Sequence, residues 1–253
     1  MNFKILSLPV VAASMLSIAS CGDNSPQNTS ENDTTATAGT NDTASARSEW
    51  TTLFDGKSFA GWHGFNKGTD SIKNWAIEDS SLVCLGAAKD AHGGDIVTDR
   101  QFSNFELVWD WKVTKGANSG VMYHVIEDKK YQAPYETGPE YQVIDDIDFP
   151  EKLEDWQQAG ADYAIMAAND KKKVNKVGEW NTSKIIYNNG HVEHWLNGEK
   201  VVEFDRNSDT WKNMRATGKW KDYPDYAKAT SGAIALQDHG NKVYFKNIKI
   251  REL

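Results

Sequence analysis

The sequence predicts an all-β fold, a jelly-roll-like antiparallel sandwich with long irregular loops and at most short helices. Three observations predict it: Asn-Gly pairs between alternating apolar runs, many short segments of period-two patterning, and few stretches of helical period. The hairpin signal is strongest in the C-terminal third. There 184–187 is followed by Asn188-Asn-Gly190, then 191–196, then Asn197-Gly198, then 200–205.

Taken in chain order, residues 1–20 run from Lys4 through an apolar stretch to small residues, and Cys21 follows. The pattern is that of a secretory signal, too short to span a bilayer, and a Cys at its end points to a lipoprotein signal peptide with Cys21 as the lipidated residue. The expected location is the cell envelope, with the lipid in the periplasmic or outer-membrane leaflet. Residues 21–48 contain no aromatic or large aliphatic side chain, cannot bury enough apolar area to offset ordering, and read as a disordered tether. Residues 49–253 hold all ten Trp and show no further change in composition, so they form one domain. With Cys21 assigned to lipid, Cys84 is left single and that domain has no internal disulfide. Removing 1–20 takes Lys4 alone among the charged side chains and moves the net charge from −8 to −9. An acidic, Trp-rich surface disfavours nucleic acid as a partner and suits neutral sugars.

Strands are predicted at 105–113, 120–126, 140–144, the three hairpin segments, 232–238 and 242–251. A short surface helix is predicted at 151–159, after Pro150, and a long polar connection at 207–231. That connection carries Trp211, Trp220, Tyr223 and Tyr226, and loops of such length are usually functional. In 105–113 the residues Phe105, Leu107, Trp109, Trp111 and Val113 share a core face, with Glu106 and Asp110 opposite. Three other strands carry polar pairs on one face. Asn118 and His124 share a face with Gly120 and Met122, Glu140 pairs with Gln142, and Gln237 pairs with His239. Their recurrence suggests one polar cleft, with His239 at its rim beside Gly240.

Several chemistries are excluded by pattern. No G-x-S-x-G, P-loop or H-E-x-x-H is present, and no Glu-x-Asp-x-Glu triplet sets up a retaining carboxylate pair. Asp145, Asp146 and Asp148 lack the Gly and distal Glu of an EF-hand. His191 and His194 point to opposite faces of a strand and cannot share a metal. His194 is left between two readings, an interior histidine and a cleft-lining one.

Seven blocks, in order, resemble the bacterial 3-keto-disaccharide hydrolase family. They are Leu53-Phe-Asp-Gly-Lys-Ser-Phe-Ala-Gly-Trp62, Asn104-Phe-Glu-Leu107, Asn118-Ser-Gly-Val121, Gly138-Pro-Glu-Tyr-Gln142, Gly178-Glu-Trp-Asn181, Val192-Glu-His-Trp-Leu-Asn-Gly198, and Leu236-Gln-Asp-His-Gly240 with Phe245-Lys-Asn-Ile-Lys249. The resemblance implies a concanavalin-A-like lectin/glucanase sandwich acting on glycosides already oxidised at C3. The substrate partner is then a 3-keto-sugar. A ketone there acidifies the C2 hydrogen, so the bond to the aglycone can break by elimination, with water adding afterwards. On this resemblance Glu140 and His239 are the catalytic candidates. Shared motifs and strand parity together make Asn118, His124, Gln142, Trp180, Asn181, His194 and Gln237 the substrate-binding candidates, Trp180 as a stacking face, although many family members carry Arg at the position of His124 and His at that of Ala233. A divalent metal held by Glu140, His124 and His239 is left open. The competing classes are a non-catalytic glycan-binding lipoprotein and a structural surface protein.

Overall fold

The computed structural model describes residues 48–68, 72–86 and 94–253. The expected signal, Cys21, the tether up to 47 and the first part of the 90–99 loop lie outside the described residues. Two antiparallel sheets make the sandwich. Across the larger sheet run β11 (Glu199–Asp205), β10 (His191–Leu196), β9 (Asn181–Asn188), β6 (Phe105–Val113), β13 (Lys242–Glu252), β4 (Ser81–Leu85) and β3 (Trp75–Glu78), with β1 (Thr51–Thr52) also paired to β13. The smaller sheet runs β2 (Trp62–Gly64), β5 (Ile96–Thr98), β12 (Ala233–Leu236), β7 (Asn118–Val125) and β8 (Glu140–Ile144). The all-β sandwich expectation is therefore met, and the five short strands before residue 100 are additions to it.

The core lies where alternation says it should. Phe105, Leu107, Trp109, Trp111 and Val113 of β6 face Val121, Tyr123, Tyr141 and Val143 from the smaller sheet, all of them buried. Trp109 meets Tyr141 edge to face with ring centroids 4.9 Å apart, and the Tyr141 hydroxyl shares a 2.8 Å hydrogen bond with Ser183. Buried aromatic rings contribute large apolar areas, and the Ser183 hydroxyl serves both the Tyr141 hydroxyl and Trp111 Nε1, whereas Trp109 Nε1 and the Tyr123 hydroxyl are buried without a partner. On the other face of the smaller sheet a second, smaller cluster forms from Phe65, Val97, Met122, Val125, Ala233 and Ala235.

Three expectations need correction. First, 151–159 is no helix but a loop with one 3-10 turn, Asp155–Gln157. Second, 207–231 is not wholly irregular. It contains α1 (Asp209–Thr217), capped by Ser208, whose hydroxyl accepts from the Trp211 amide at 3.2 Å, and then the 3-10 turn Lys219–Asp222. Third, strand parity fails in β7. Ala233 pairs with Val125 whereas Ala235 pairs with Met122, so β7 carries one residue more than its partner. His124 sits there at φ 54°, a β-bulge. The extra residue turns His124 into the interior with Tyr123 and returns Val125 to the face of Met122. Gly232 passes so close that a Cβ on it would lie 2.5 Å from the His124 carbonyl carbon, so this crossing requires glycine.

Candidate active site

The outer face of β7 and β8 is polar at one end only. Glu140 opens β8 directly after Gly138-Pro139, and its side chain folds back over β7. A Cβ on Gly120 would lie 2.1 Å from Glu140 Oε1 and 2.8 Å from its Cγ. The carboxyl therefore rests on a bare stretch of backbone that no larger residue would leave open. Two residues along β8, Gln142 is 2 % exposed, and its Nε2 donates to the Gln157 carbonyl at 3.0 Å. That bond fixes the amide orientation and leaves Gln142 Oε1 without a partner. Asn118 Oδ1 and Gln237 Oε1 are buried and unpartnered as well. These side chains, Glu140 and His239 line one cavity of about 210 Å³.

The roof of this cavity comes from elsewhere in the chain. Lys219, Trp220 and Tyr223 reach over from the turn after α1, Tyr135 from the loop before β8, and Tyr163 from the loop after it. Lys219 is an exposed residue, and its Nζ is 4.4 Å from the Tyr163 ring centre and 4.8 Å from that of Trp220. Trp220 stacks on Tyr226 at 4.0 Å and donates through Nε1 to the Tyr163 carbonyl. Arg215 holds the segment in shape, its guanidinium donating to the carbonyls of Tyr223, Pro224 and Tyr226. The result is a polar floor under a cationic, aromatic roof, the composition of a sugar site.

Electrostatics in the cavity are set by burial. Glu140 is 4 % exposed, and loss of water pushes its pKa up to about 8. The Lys219 charge opposes that rise, while Asp95 and Asp162 add to it. Burial lowers the Lys219 ammonium from its ordinary value, against the pull of Glu140. Behind the site, Asp95 is raised to about 7, chiefly by burial, although it accepts the Asp238 amide at 2.7 Å. Glu140 and Lys219 therefore share the cavity with their proton affinities drawn closer than in water.

Of the residues expected from sequence, Glu140, His239, Asn118, Gln142 and Gln237 are brought together. Four others are not. His124, turned inward by the bulge, bonds the Ser103 carbonyl through Nε2 at 2.8 Å and lies against Tyr187, its ring centre 4.3 Å away. His194 is interior too, with Nδ1 on the Gly160 carbonyl at 3.0 Å and Tyr141 beside it. Trp180 lies beside Tyr244, with the ammonium of Lys246 3.9 Å from its ring centre. Asn181 ties a turn, its Oδ1 accepting from the Asn175 amide and from Asn197 Nδ2. The metal set of Glu140, His124 and His239 does not assemble, because its second member faces the opposite side of the sheet. Among the described residues the three-ligand group that does form is His191, Glu193 and Glu203, and Lys200 already bridges both of those carboxylates. Lys219, Tyr135 and Tyr163 escape sequence reasoning, although the aromatic residues of 207–231 mark that connection as functional.

The comparisons with known proteins agree with this geometry. Residues 49–251 match the model of the 3-keto-alpha-glucoside-1,2-lyase-like domain. A Bacteroides thetaiotaomicron protein, 3-keto-disaccharide hydrolase, is 34% identical over 226 residues, covering 80% of this chain and 78% of the relative. Two crystal structures from Parabacteroides distasonis, both assigned as glycosyl hydrolases, are also similar. One is 49% identical with a TM-score of 0.75, covering 81% of this chain and 94% of the other; the second is 31% identical with a TM-score of 0.61, covering 81% and 100%. The chain belongs to the 3-keto-disaccharide hydrolase family, a glycoside hydrolase/lyase family of sandwich fold.

Proposed function

We propose that the protein cleaves 3-keto-glycosides, 3-keto-disaccharides among them, by C2 deprotonation, elimination and hydration in the Glu140 cavity. The observation that carries this reading is a buried carboxyl of raised pKa, seated on Gly120 in the same cavity as an ammonium and three unpartnered amide oxygens. The amide oxygens of Asn118, Gln142 and Gln237 accept hydrogen bonds from sugar hydroxyls. That recovers the cost of burying them unpaired and orients the ring.

The Glu140 carboxylate then takes the C2 proton, and the electron pair moves onto the C3 carbonyl as an enolate. Lys219 lies at the cavity mouth and stabilises that negative charge. As the enolate re-forms its carbonyl, the bond from C1 to the aglycone oxygen breaks. His239 at the rim protonates the departing oxygen, leaving an enone. Water adds to C1 and C2 regains a proton, giving the free 3-keto-sugar. A base with a pKa near 8 suits this work, because a carboxylate that binds its proton tightly pulls a carbon acid harder than one at the ordinary value.

The test is C2 hydrogen exchange in deuterated water, followed alongside aglycone release from a 3-keto-glucoside. Wild type should show both, Glu140→Gln neither, and His239→Ala exchange with slowed release. Unchanged release by both variants would place the chemistry elsewhere. We further propose that residues 1–20 are removed, that Cys21 carries lipid, and that the domain from 49 to 253 is held at the cell envelope by the tether 21–48. A fatty-acid label should enter the wild-type chain and not Cys21→Ser, and equal labelling would refute the anchor.

A further inference from the structure

A second hollow, of about 360 Å³, opens near the other end of β7, next to the bulge. Asn118 and His124 are six positions apart on β7, so the two sites are about 20 Å apart at the rise of a strand. Its floor is Tyr187 and Arg206; its walls are Asn104, Asn189, Asn207 and Thr230. The walls are tied to one another. The Asn189 amide donates to Asn104 Oδ1 at 2.8 Å, and Asn207 Nδ2 donates to the Asn189 carbonyl at 3.2 Å.

Arg206 is the anomaly of this hollow. It is only 7 % exposed, it donates through Nη1 to the Ala229 carbonyl at 3.0 Å, and its Cζ lies 5.3 Å from the Tyr187 ring centre. Among the described residues no carboxylate comes within 4.0 Å of its nitrogens. Asp162, the buried acid that feels its charge, takes a hydrogen bond from Trp211 Nε1 at 3.0 Å and none from Arg206. A nearly buried guanidinium without a counter-ion is costly unless something else supplies the negative charge.

We propose that this hollow is a second glycan site, one that takes a sugar carboxylate, a uronic acid residue, onto the free edge of Arg206. The planar fork of Arg matches a carboxylate, and the amide and hydroxyl walls match the hydroxyls of a sugar ring. The volume is that of a small-ligand pocket. The site is independent of the reaction assigned to Glu140, and its failure would leave that assignment standing.

Calorimetry on the purified protein tests it with glucuronate, glucose, acetate and inorganic phosphate as separate ligands. Glucuronate should bind, glucose should bind at least tenfold more weakly, and acetate and phosphate should not match glucuronate. Arg206→Gln should weaken glucuronate at least tenfold and leave turnover of a 3-keto-glucoside unchanged. Thr230→Trp, at an exposed wall position, should block binding without touching the core and guards against misfolding of the first variant. Glucuronate no better than glucose, equal binding by acetate or phosphate, or undiminished binding to both variants would each overturn the proposal.

Discussion

Replacing Glu140 by Gln should do two opposite things, and the second can be worked out from burial. Activity is lost with the base. Stability should rise, and the rise should depend on pH. A free glutamate ionises near 4.5, whereas this one keeps its proton to about 8. Between those values the folded state holds a proton that the unfolded chain has released, so stability falls as pH increases across that window. At about 1.4 kcal/mol per pH unit the upper bound is about 5 kcal/mol. Side-chain movement and water entry reduce that, and about 2 to 4 kcal/mol is the working figure. At pH 5 the protonated acid and the amide are near-isosteres, and the two proteins should melt together. At pH 9 the variant should melt higher by roughly 5 to 15 °C for a domain of this size. Differential scanning calorimetry at the two pH values makes the comparison. A melting difference that is the same at both would refute the claim that Glu140 is buried at the expense of the fold.

Three further outcomes follow from the same geometry. Gly120→Ala pushes a methyl into the Glu140 carboxyl; kcat/KM should fall by about 100-fold for a loss of only about 1 to 3 kcal/mol in stability, read by urea denaturation. Lys219→Met removes the charge that opposes the rise at Glu140, so the ascending limb of the kcat/KM–pH profile, near 8 in wild type, should move to higher pH and its plateau should drop. His124→Leu should leave turnover intact and cost about 1 kcal/mol at pH 7 through the lost hydrogen bond to the Ser103 carbonyl. Burial holds the His124 pKa near 4. The wild type therefore loses stability as pH falls from 6.5 toward 4, and the variant should lose less, a difference that acid-denaturation midpoints would expose.

The central strands are legible in the sequence because each has a buried and an open face. Alternation in 105–113 and the Asn-Gly pairs around 191–196 leave little freedom in where those strands begin and end. The strands before residue 100 have two to five residues each, too few for a period to stand out. Parity also carries two of the three polar pairs, Glu140 with Gln142 and Gln237 with His239, and Asn118 of the third to one cavity. It fails at His124 because one bulged residue reverses every side chain after it, and nothing in Met-Tyr-His-Val announces a bulge. In β13 the signal is present: Val243, Phe245, Ile248 and Ile250 are buried, a spacing that skips a residue at Asn247, which sits at φ 53°. Trp180 is attractive to sequence reasoning as an aromatic residue within a family block, but its place beside Tyr244 depends on pairing between distant strands.

The roof over Glu140 draws Lys219, Trp220 and Tyr223 from one contiguous segment, pinned internally by Arg215, while the floor is assembled from three strands whose pairing holds the sandwich together. The two parts are therefore under different evolutionary constraint. Changing the floor endangers folding and chemistry at once, whereas an insertion or exchange between residues 207 and 231 that keeps Lys219 would re-shape what the cavity admits and leave the Glu140 carboxyl and its charge partner in place. A lineage that met new leaving groups could diversify by that one stretch of chain.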